Sequence, residues 1–323
     1  MNANLRKHSL GWIGLGRMGL PMAQRLAQAG ANIGGYNRTR SKAEPLARCG
    51  GALVDSPADL ADRDIVFTMV STAGDLFDVV TGKNGLLSHP TQAPKVLVDL
   101  STISESDSVR LREIAAERDV ALLVVPVSGN DVVARAGRLS VLASGPRAVF
   151  DTVSPYLSCF GPSVTYIGEG DTARTAKICH NMLLAITYQG LAEIAVLGEQ
   201  HGVPRHVLLD VINRSVLGST YSKYKSPAIV NLDYTVTFTL DLLHKDLALA
   251  LDAGRAAGTA LPLTTAVQSL VERTIGNLGG ALDYTTLLGQ QALDSGLEIR
   301  SEDVETNDGL RQPGSAAKSE GQQ

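Results

Sequence analysis

Lys177 and Asn181 stand four residues apart in the segment Gly170-Asp171-Thr172-Ala173-Arg174-Thr175-Ala176-Lys177-Ile178-Cys179-His180-Asn181. On an α-helix, positions i and i+4 share one face, one turn apart. An amine and an amide so placed can bind a hydroxyl or carbonyl oxygen. The lysine moves the proton and the amide orients the oxygen. Other residues near that face, Ala173, Leu184, Ala185 and Tyr188, are mostly small or apolar. Spacing alone also fits a surface lysine whose stem lies on the helix while its ammonium stays in water. His180 is rotated about 60° from Lys177, on the side away from Asn181, and reads as structural.

Such a pair needs a partner site, and the N-terminal stretch supplies one. Gly14-Leu15-Gly16-Arg17-Met18-Gly19 follows the apolar run Leu10-Gly11-Trp12-Ile13 and precedes the amphipathic Pro21-Met22-Ala23-Gln24-Arg25-Leu26-Ala27. Strand, glycine turn and helix in that order form a dinucleotide cradle. Gly14 permits the turn, Gly16 lets a pyrophosphate approach the backbone, and Gly19 lets the helix pack on the strand. Amide N–H groups of the loop and helix start, from Leu15 to Met18, face the anion. An acid usually follows such a loop by about 20 residues and binds the ribose hydroxyls. This chain has Asn37 there, followed by Arg38, Thr39 and Arg40. Asn37 does not repel a 2′-phosphate, and Arg38 can pair with one, with Thr39 in reach. NADP is therefore expected over NAD. The alternative is a solvated basic turn.

The chain has 323 residues, 44% hydrophobic and 19% charged, which fits a globular protein of two domains. A net charge of -4 gives no support for nucleic-acid binding. No uninterrupted apolar run approaches the roughly 20 residues that cross a bilayer, and the first residues lack the core of a secretory signal. Cys49, Cys159 and Cys179 are scattered without metal-ligand spacing, so neither a metal site nor a disulfide framework is expected. A cytoplasmic location fits.

Short apolar runs at 11–14, 31–36, 65–70, 96–100, 121–125, 139–143 and 164–167 alternate with helical patterns. That alternation predicts an α/β fold, a Rossmann doubly wound sheet over residues 1–169. Ser104 is placed to cap a helix starting near Glu105. From residue 170 to 299 the pattern is all-α, a substrate and oligomerisation domain. It opens on one long interdomain helix, 172–200, with further helices at 206–213, 240–257, 261–277 and 284–295. A helix that long, with apolar helices after it, suggests a homodimer or homotetramer. Residues 300–323 are polar and read as a disordered tail.

Four blocks in order make the chain resemble the β-hydroxyacid dehydrogenase family, over residues 10–297. They are Ile13-Gly14-Leu15-Gly16-Arg17-Met18-Gly19-Leu20-Pro21-Met22; Asp99-Leu100-Ser101-Thr102-Ile103; Pro126-Val127-Ser128-Gly129 with Ala136-Gly137-Arg138-Leu139; and Gly170…Lys177…Asn181 with the later Lys245-Asp246-Leu247. The resemblance implies hydride transfer between a nicotinamide and a short β-hydroxy acid or its oxidised form. It implies that Lys177 is the general acid/base and Asn181 the substrate-orienting amide. Ser128 and Gly129 match the loop that holds the substrate carboxylate, and Thr102 a residue near the nicotinamide. Lys245 matches a lysine that reaches the cofactor, and Val70 and Ser71 are placed to touch its ribose or pyrophosphate. The chain departs from the family at Arg25, where Asn is common. At Val124-Val125 it lacks an acid, and Asn130 replaces a glycine beside the substrate loop. Asn130 is counted among the expected substrate contacts. Two other readings share this layout: an imine reductase-like enzyme, which commonly lacks the lysine, and a non-catalytic dinucleotide-binding module.

Overall fold

The computed structural model describes residues 5–306, 308 and 309. The chain forms two compact units that divide between His180 and Asn181.

The first unit is built on nine strands: β1 (Ser9–Ile13), β2 (Asn32–Tyr36), β3 (Ala52–Leu53), β4 (Ile65–Thr68), β5 (Val96–Asp99), β6 (Ala121–Val124), β7 (Val127–Ser128), β8 (Ser140–Ser144) and β9 (Ser163–Gly168). Their order is β3-β2-β1-β4-β5-β6-β8-β7, with β9 paired to β8. The first six run parallel, and β8 is antiparallel to β6 and β7. Helices cover the sheet: α1 (Gly19–Gln28), α2 (Glu44–Ala47), α3 (Ala73–Thr81), α4 (Glu105–Ala116), α5 (Asp131–Arg135) and α6 (Arg147–Leu157). Every residue of β4 and β5 is buried, so these strands are short apolar runs rather than alternating ones. One face packs around Trp12, which stacks on Phe67 at 5.2 Å and meets Phe160 edge-on. The other packs Leu60, Leu76, Leu97 and Leu111. The α/β expectation holds. The two-residue strands β3 and β7 are additional to the expected set.

Helix α7 (Thr172–Gln200) is continuous for 29 residues, as its periodicity predicts. Its length and mean hydropathy would also suit a bilayer span. However, Ala185, Tyr188, Ala192 and Ala195 pack into the core of the second unit, as in an ordinary core helix. That unit continues with α8 (Arg205–Arg214), α9 (Thr220–Val230), α10 (Leu240–Ala257), α11 (Pro262–Leu278), a 3-10 turn at Tyr284–Thr286 and α12 (Leu287–Asp294). Helix α9 was not expected, because Pro227 lies inside it and its apolar positions have no clear stripe. Thr239 caps α10 by accepting from the N–H of Leu242, and Gly258 closes it in the left-handed region at φ +67°.

The start of the expected disordered tail is ordered. The Glu302 carboxylate accepts from the backbone N–H groups of Arg205 (2.7 Å) and His206 (2.9 Å), and Val304 exchanges bonds with the Asn231 amide. Charge-assisted bonds to the first turn of α8 fix residues 300–306, despite their polar composition. Residues 307 and 310–323 of that expectation lie outside the described residues.

Candidate active site

The strand order reverses between β1 and β4, whose other neighbours are β2 and β5. In open α/β sheets the crevice at such a reversal, at the carboxyl ends of the strands, is where ligands bind. The glycine loop follows β1, and Val70-Ser71 lies just beyond β4. Gly14 has φ +95°, and a side chain there would sit 2.2 Å from the Met69 carbonyl oxygen. A Cβ on Gly19 would fall 1.9 Å from the Gly14 oxygen, so α1 packs this closely only with glycine. A Cβ on Gly16 would point into open space, so the chain's own packing does not demand glycine there. Close approach of a phosphate does. These positions fit a dinucleotide.

Asn37 braces this loop. Its Oδ1 accepts from the Leu15 N–H (2.9 Å), and its Nδ2 donates to the Thr39 carbonyl (2.9 Å). Arg38 projects outward, with its side chain 85% exposed and 3.0 Å from the Asp75 carboxylate. Arg40 pairs with Asp55. The Val70 N–H donates to Ser101 Oγ (3.1 Å), tying the ends of β4 and β5 together.

The same edge of the sheet receives the start of α7. Asp99, fully buried at the end of β5, accepts from Arg174 Nη2 at 2.5 Å, from Thr68 Oγ1 at 2.7 Å and from the Ser101 N–H. Arg174 also donates to the Ser101 carbonyl (2.6 Å) and Ser108 Oγ (2.7 Å). Ser108 and Arg112 in turn donate to Asp171. Burial pushes the Asp171 carboxyl up, but the bonds from Arg112 and Ser108 and the charges of Arg112 and Arg174 outweigh it and hold the group low. This network clamps the first turn of α7 to the loop after β5. A shallow cleft results, lined by Ser101, Thr102, Ile103, Pro126, Arg174, Lys177 and Ile178. Lys177 and Thr102 thus line one cleft at the carboxyl ends of β5 and β6.

The Ser128 loop is pinned on several sides. Ser128 pairs with Ser140 across β7 and β8. Gly129 adopts φ +132°, where a side chain would strike Leu139 and Val133. Asn130 caps α5, its Oδ1 accepting from the Val133 N–H at 3.0 Å. That acceptor holds the helix start, a task its expected substrate contact did not foresee. Ser128 Oγ lies 2.9 Å from His180 Nε2. The His180 ring thus reaches the loop that the resemblance expects to hold the substrate carboxylate. Arg25, the departure on α1, donates to the carbonyls of Cys159 and Arg135, and lies where a Gly137 side chain would go.

In the second unit, Asn181 is buried and its Nδ2 donates to Asp246 Oδ2 at 2.6 Å. A carboxylate accepts, so the amide must turn its N–H side to Asp246. Lys245 Nζ stands 3.4 Å from the other Asp246 oxygen. His244 pairs with Glu272 at 3.2 Å. Arg174, Asp99 and Asp246 were not among the expected site residues. The signals were present: Asp99 opens the Asp99-Leu100-Ser101-Thr102 block, and Asp246 follows Lys245 in its motif.

Comparison with known proteins decides the family. The model described as the NAD binding domain of 6-phosphogluconate dehydrogenase matches residues 9–168. The model described as NAD-binding of NADP-dependent 3-hydroxyisobutyrate dehydrogenase matches residues 170–290. The 2-(hydroxymethyl)glutarate dehydrogenase of Eubacterium barkeri is 33% identical over 265 residues, 81% of this chain and 88% of that protein. The chain belongs to the β-hydroxyacid dehydrogenase family. A 3-hydroxyisobutyrate dehydrogenase of Pseudomonas aeruginosa is 31% identical over 269 residues, covering 81% of this chain and 90% of its own. The solved 3-hydroxyisobutyrate dehydrogenase of Mycobacterium tuberculosis, with L-serine, superposes with a TM-score of 0.78 at 27% identity. It covers 88% of this chain and 98% of that one. As a family member, this protein is an NAD(P)-dependent oxidoreductase that acts on the hydroxyl group of hydroxyacids.

Proposed function

We propose that this β-hydroxyacid dehydrogenase prefers NADP(H) and uses Lys177 as its general acid/base on a short β-hydroxy acid. Ser128 and Gly129 bind the carboxylate in this reading, and Asn181 orients the reacting oxygen. The observation that carries it is Lys177 in one cleft with Thr102, at the strand ends, on the edge of the sheet that also carries the dinucleotide loop. The nicotinamide, when bound, accepts or supplies the hydride at the carbinol carbon. Lys177 takes the hydroxyl proton in oxidation and returns it to the carbonyl oxygen in reduction. A lysine must be neutral to act as a base, so alkaline pH favours oxidation. Arg174 holds the first turn of α7 and thereby the position of Lys177 against Thr102.

Asn37 and the outward Arg38 support the NADP preference, since neither repels a 2′-phosphate. Exposed Leu183, Leu197, Val211 and Leu293 on helices of the second unit support a homodimer or homotetramer, to be weighed by light scattering. Three free cysteines fit a reducing cytoplasm.

The test is a panel of 3-hydroxyisobutyrate, glycerate, 4-hydroxybutyrate, serine, threonine and phenylserine stereoisomers with both cofactors, alongside Lys177→Ala. The variant should lose about 10²–10⁴-fold in kcat, while NADPH affinity by fluorescence stays nearly constant. Near-normal turnover in Lys177→Ala would remove the lysine from the chemistry. Turnover confined to cyclic imines would redirect the substrate class.

A further inference from the structure

The loop that holds Ser128 has little freedom left in its backbone. It is paired with β8 at Ser140, turned by Gly129 in the left-handed half of φ space, and fastened by the Asn130 cap. The remaining variable is the direction of the Ser128 hydroxyl proton. A serine hydroxyl has one proton and two acceptor sites, and it rotates to suit its neighbours. The neighbour here is His180 Nε2, at 2.9 Å.

That contact has two forms with opposite consequences for an anion. A bare Nε2 accepts a hydrogen bond from the hydroxyl, and Ser128 Oγ then shows lone pairs to a carboxylate. If Nε2 carries the proton, it donates to Oγ, and Ser128 turns its own proton outward as a donor. We propose that His180 is a positioning residue that donates from Nε2 to Ser128, so that the serine presents its O–H to the substrate carboxylate. The inference rests on the reading of Ser128 as a carboxylate contact. It also has a geometric consequence. His180 lies three residues after Lys177 on α7, a rise of about 4.5 Å. The group that aims the carboxylate donor and the group that moves the proton are thus fixed to the same stretch of helix. Selection for an acid of one length follows from that spacing.

The experiment is a double-mutant cycle on the full-length enzyme saturated with NADP+, using 3-hydroxyisobutyrate and the best acid of the panel. The variants are His180→Leu, His180→Gln, Ser128→Ala and the His180→Leu/Ser128→Ala pair. His180→Leu should raise KM roughly tenfold with little change in kcat, as loss of a hydrogen bond that supports a charged group does. His180→Gln, which keeps an N–H donor, should recover most of that loss. The double variant should be no worse than Ser128→Ala, because the two residues act as one. Calorimetry of 3-hydroxyisobutyrate binding should follow the same order as KM. Additive effects, a fall in kcat with KM unmoved, or glutamine no better than leucine would each overturn the pairing and leave the dehydrogenase reading intact. A wild-type enzyme that neither binds nor turns over any carboxylate would overturn both.

Discussion

Among the described residues the first unit buries Arg174 and the second buries Arg205 and Lys225, and Arg174 and Lys225 are handled in opposite ways. Arg174 in the first unit is 3% exposed and meets a buried carboxylate, a carbonyl and a hydroxyl. Lys225 in the second is 5% exposed and lies over the rings of Tyr224 and Tyr284, at 4.6 and 4.7 Å. Burial pulls the Lys225 ammonium down to about 8, against the opposing pull of Asp283 and Asp233. A guanidinium does not give up its proton, so burying it requires acceptors fixed around it. A lysine can shed its charge, so aromatic faces suffice. The first arrangement locks the start of α7 in register with the strand ends. The second fills a core and tolerates a change of charge.

The comparison breaks first at Arg174. Arg174→Met leaves Asp99 buried without its partner and should cost about 3–5 kcal/mol in chemical denaturation. Turnover should fall with it, since Lys177 sits one turn further along. Adding Asp99→Leu should restore much of the stability and little of the turnover. Equal recovery of both would make the pair a packing device only.

Lys225 should respond to pH instead. Its folded pKa of about 8 lies below the ordinary 10.5, so between these values the unfolded chain holds a proton that the folded chain has released. Stability therefore rises as pH climbs through that window, and the cost of burying the charge is complete below it. Lys225→Met should be more stable than the wild type near neutrality, by up to about 3 kcal/mol, and should lose the slope. Above pH ~10 the buried Tyr188, Tyr221 and Tyr284 add the opposite trend. Burial raises their pKa values, so unfolding releases protons there. Urea titrations between about pH 7 and 9.5 isolate the lysine. A flat wild-type profile would assign the compensation to Asp283, which backbone bonds from Phe238 and Thr237 hold low against its burial.

The smallest effect on stability belongs to the exposed cation. Arg38→Glu breaks a surface pair with Asp75 and should cost under about 1 kcal/mol. NADPH affinity should nevertheless fall about tenfold, with NADH little changed. If both cofactors weaken together, Arg38 serves the loop and not the phosphate.

How much of this was legible in the sequence follows from the range of the contacts. The glycine loop, the parallel strands and α7 were readable because their signals are local: periodicity, turn chemistry and a cap at Ser104 that accepts from the Asp107 N–H. Strands β3 and β7, two residues each, are too short to carry a period. The role of Arg174 was not legible. A charged residue in the first turn of a helix looks solvated, and its partners Ser101 and Asp99 lie 73 and 75 residues away. The same holds for His180, whose partner is 52 residues upstream, and for Asn181 with Asp246 at a separation of 65. Motif spacing singled out Lys177 and Asn181. It could not show what holds them.

Asn37 has a consequence for any attempt to retune the cofactor. Its amide accepts from the phosphate loop at Leu15 and donates to the turn at Thr39. An aspartate, the obvious exchange for a ribose-binding acid, could keep the first bond and not the second. It would also set a carboxylate against the Thr39 carbonyl. Asn37 therefore ties the proposed cofactor preference to the integrity of the loop. On the NADP(H) preference proposed above, engineering toward NAD requires residues 37–40 to be rebuilt together, because a single replacement disturbs the cradle itself.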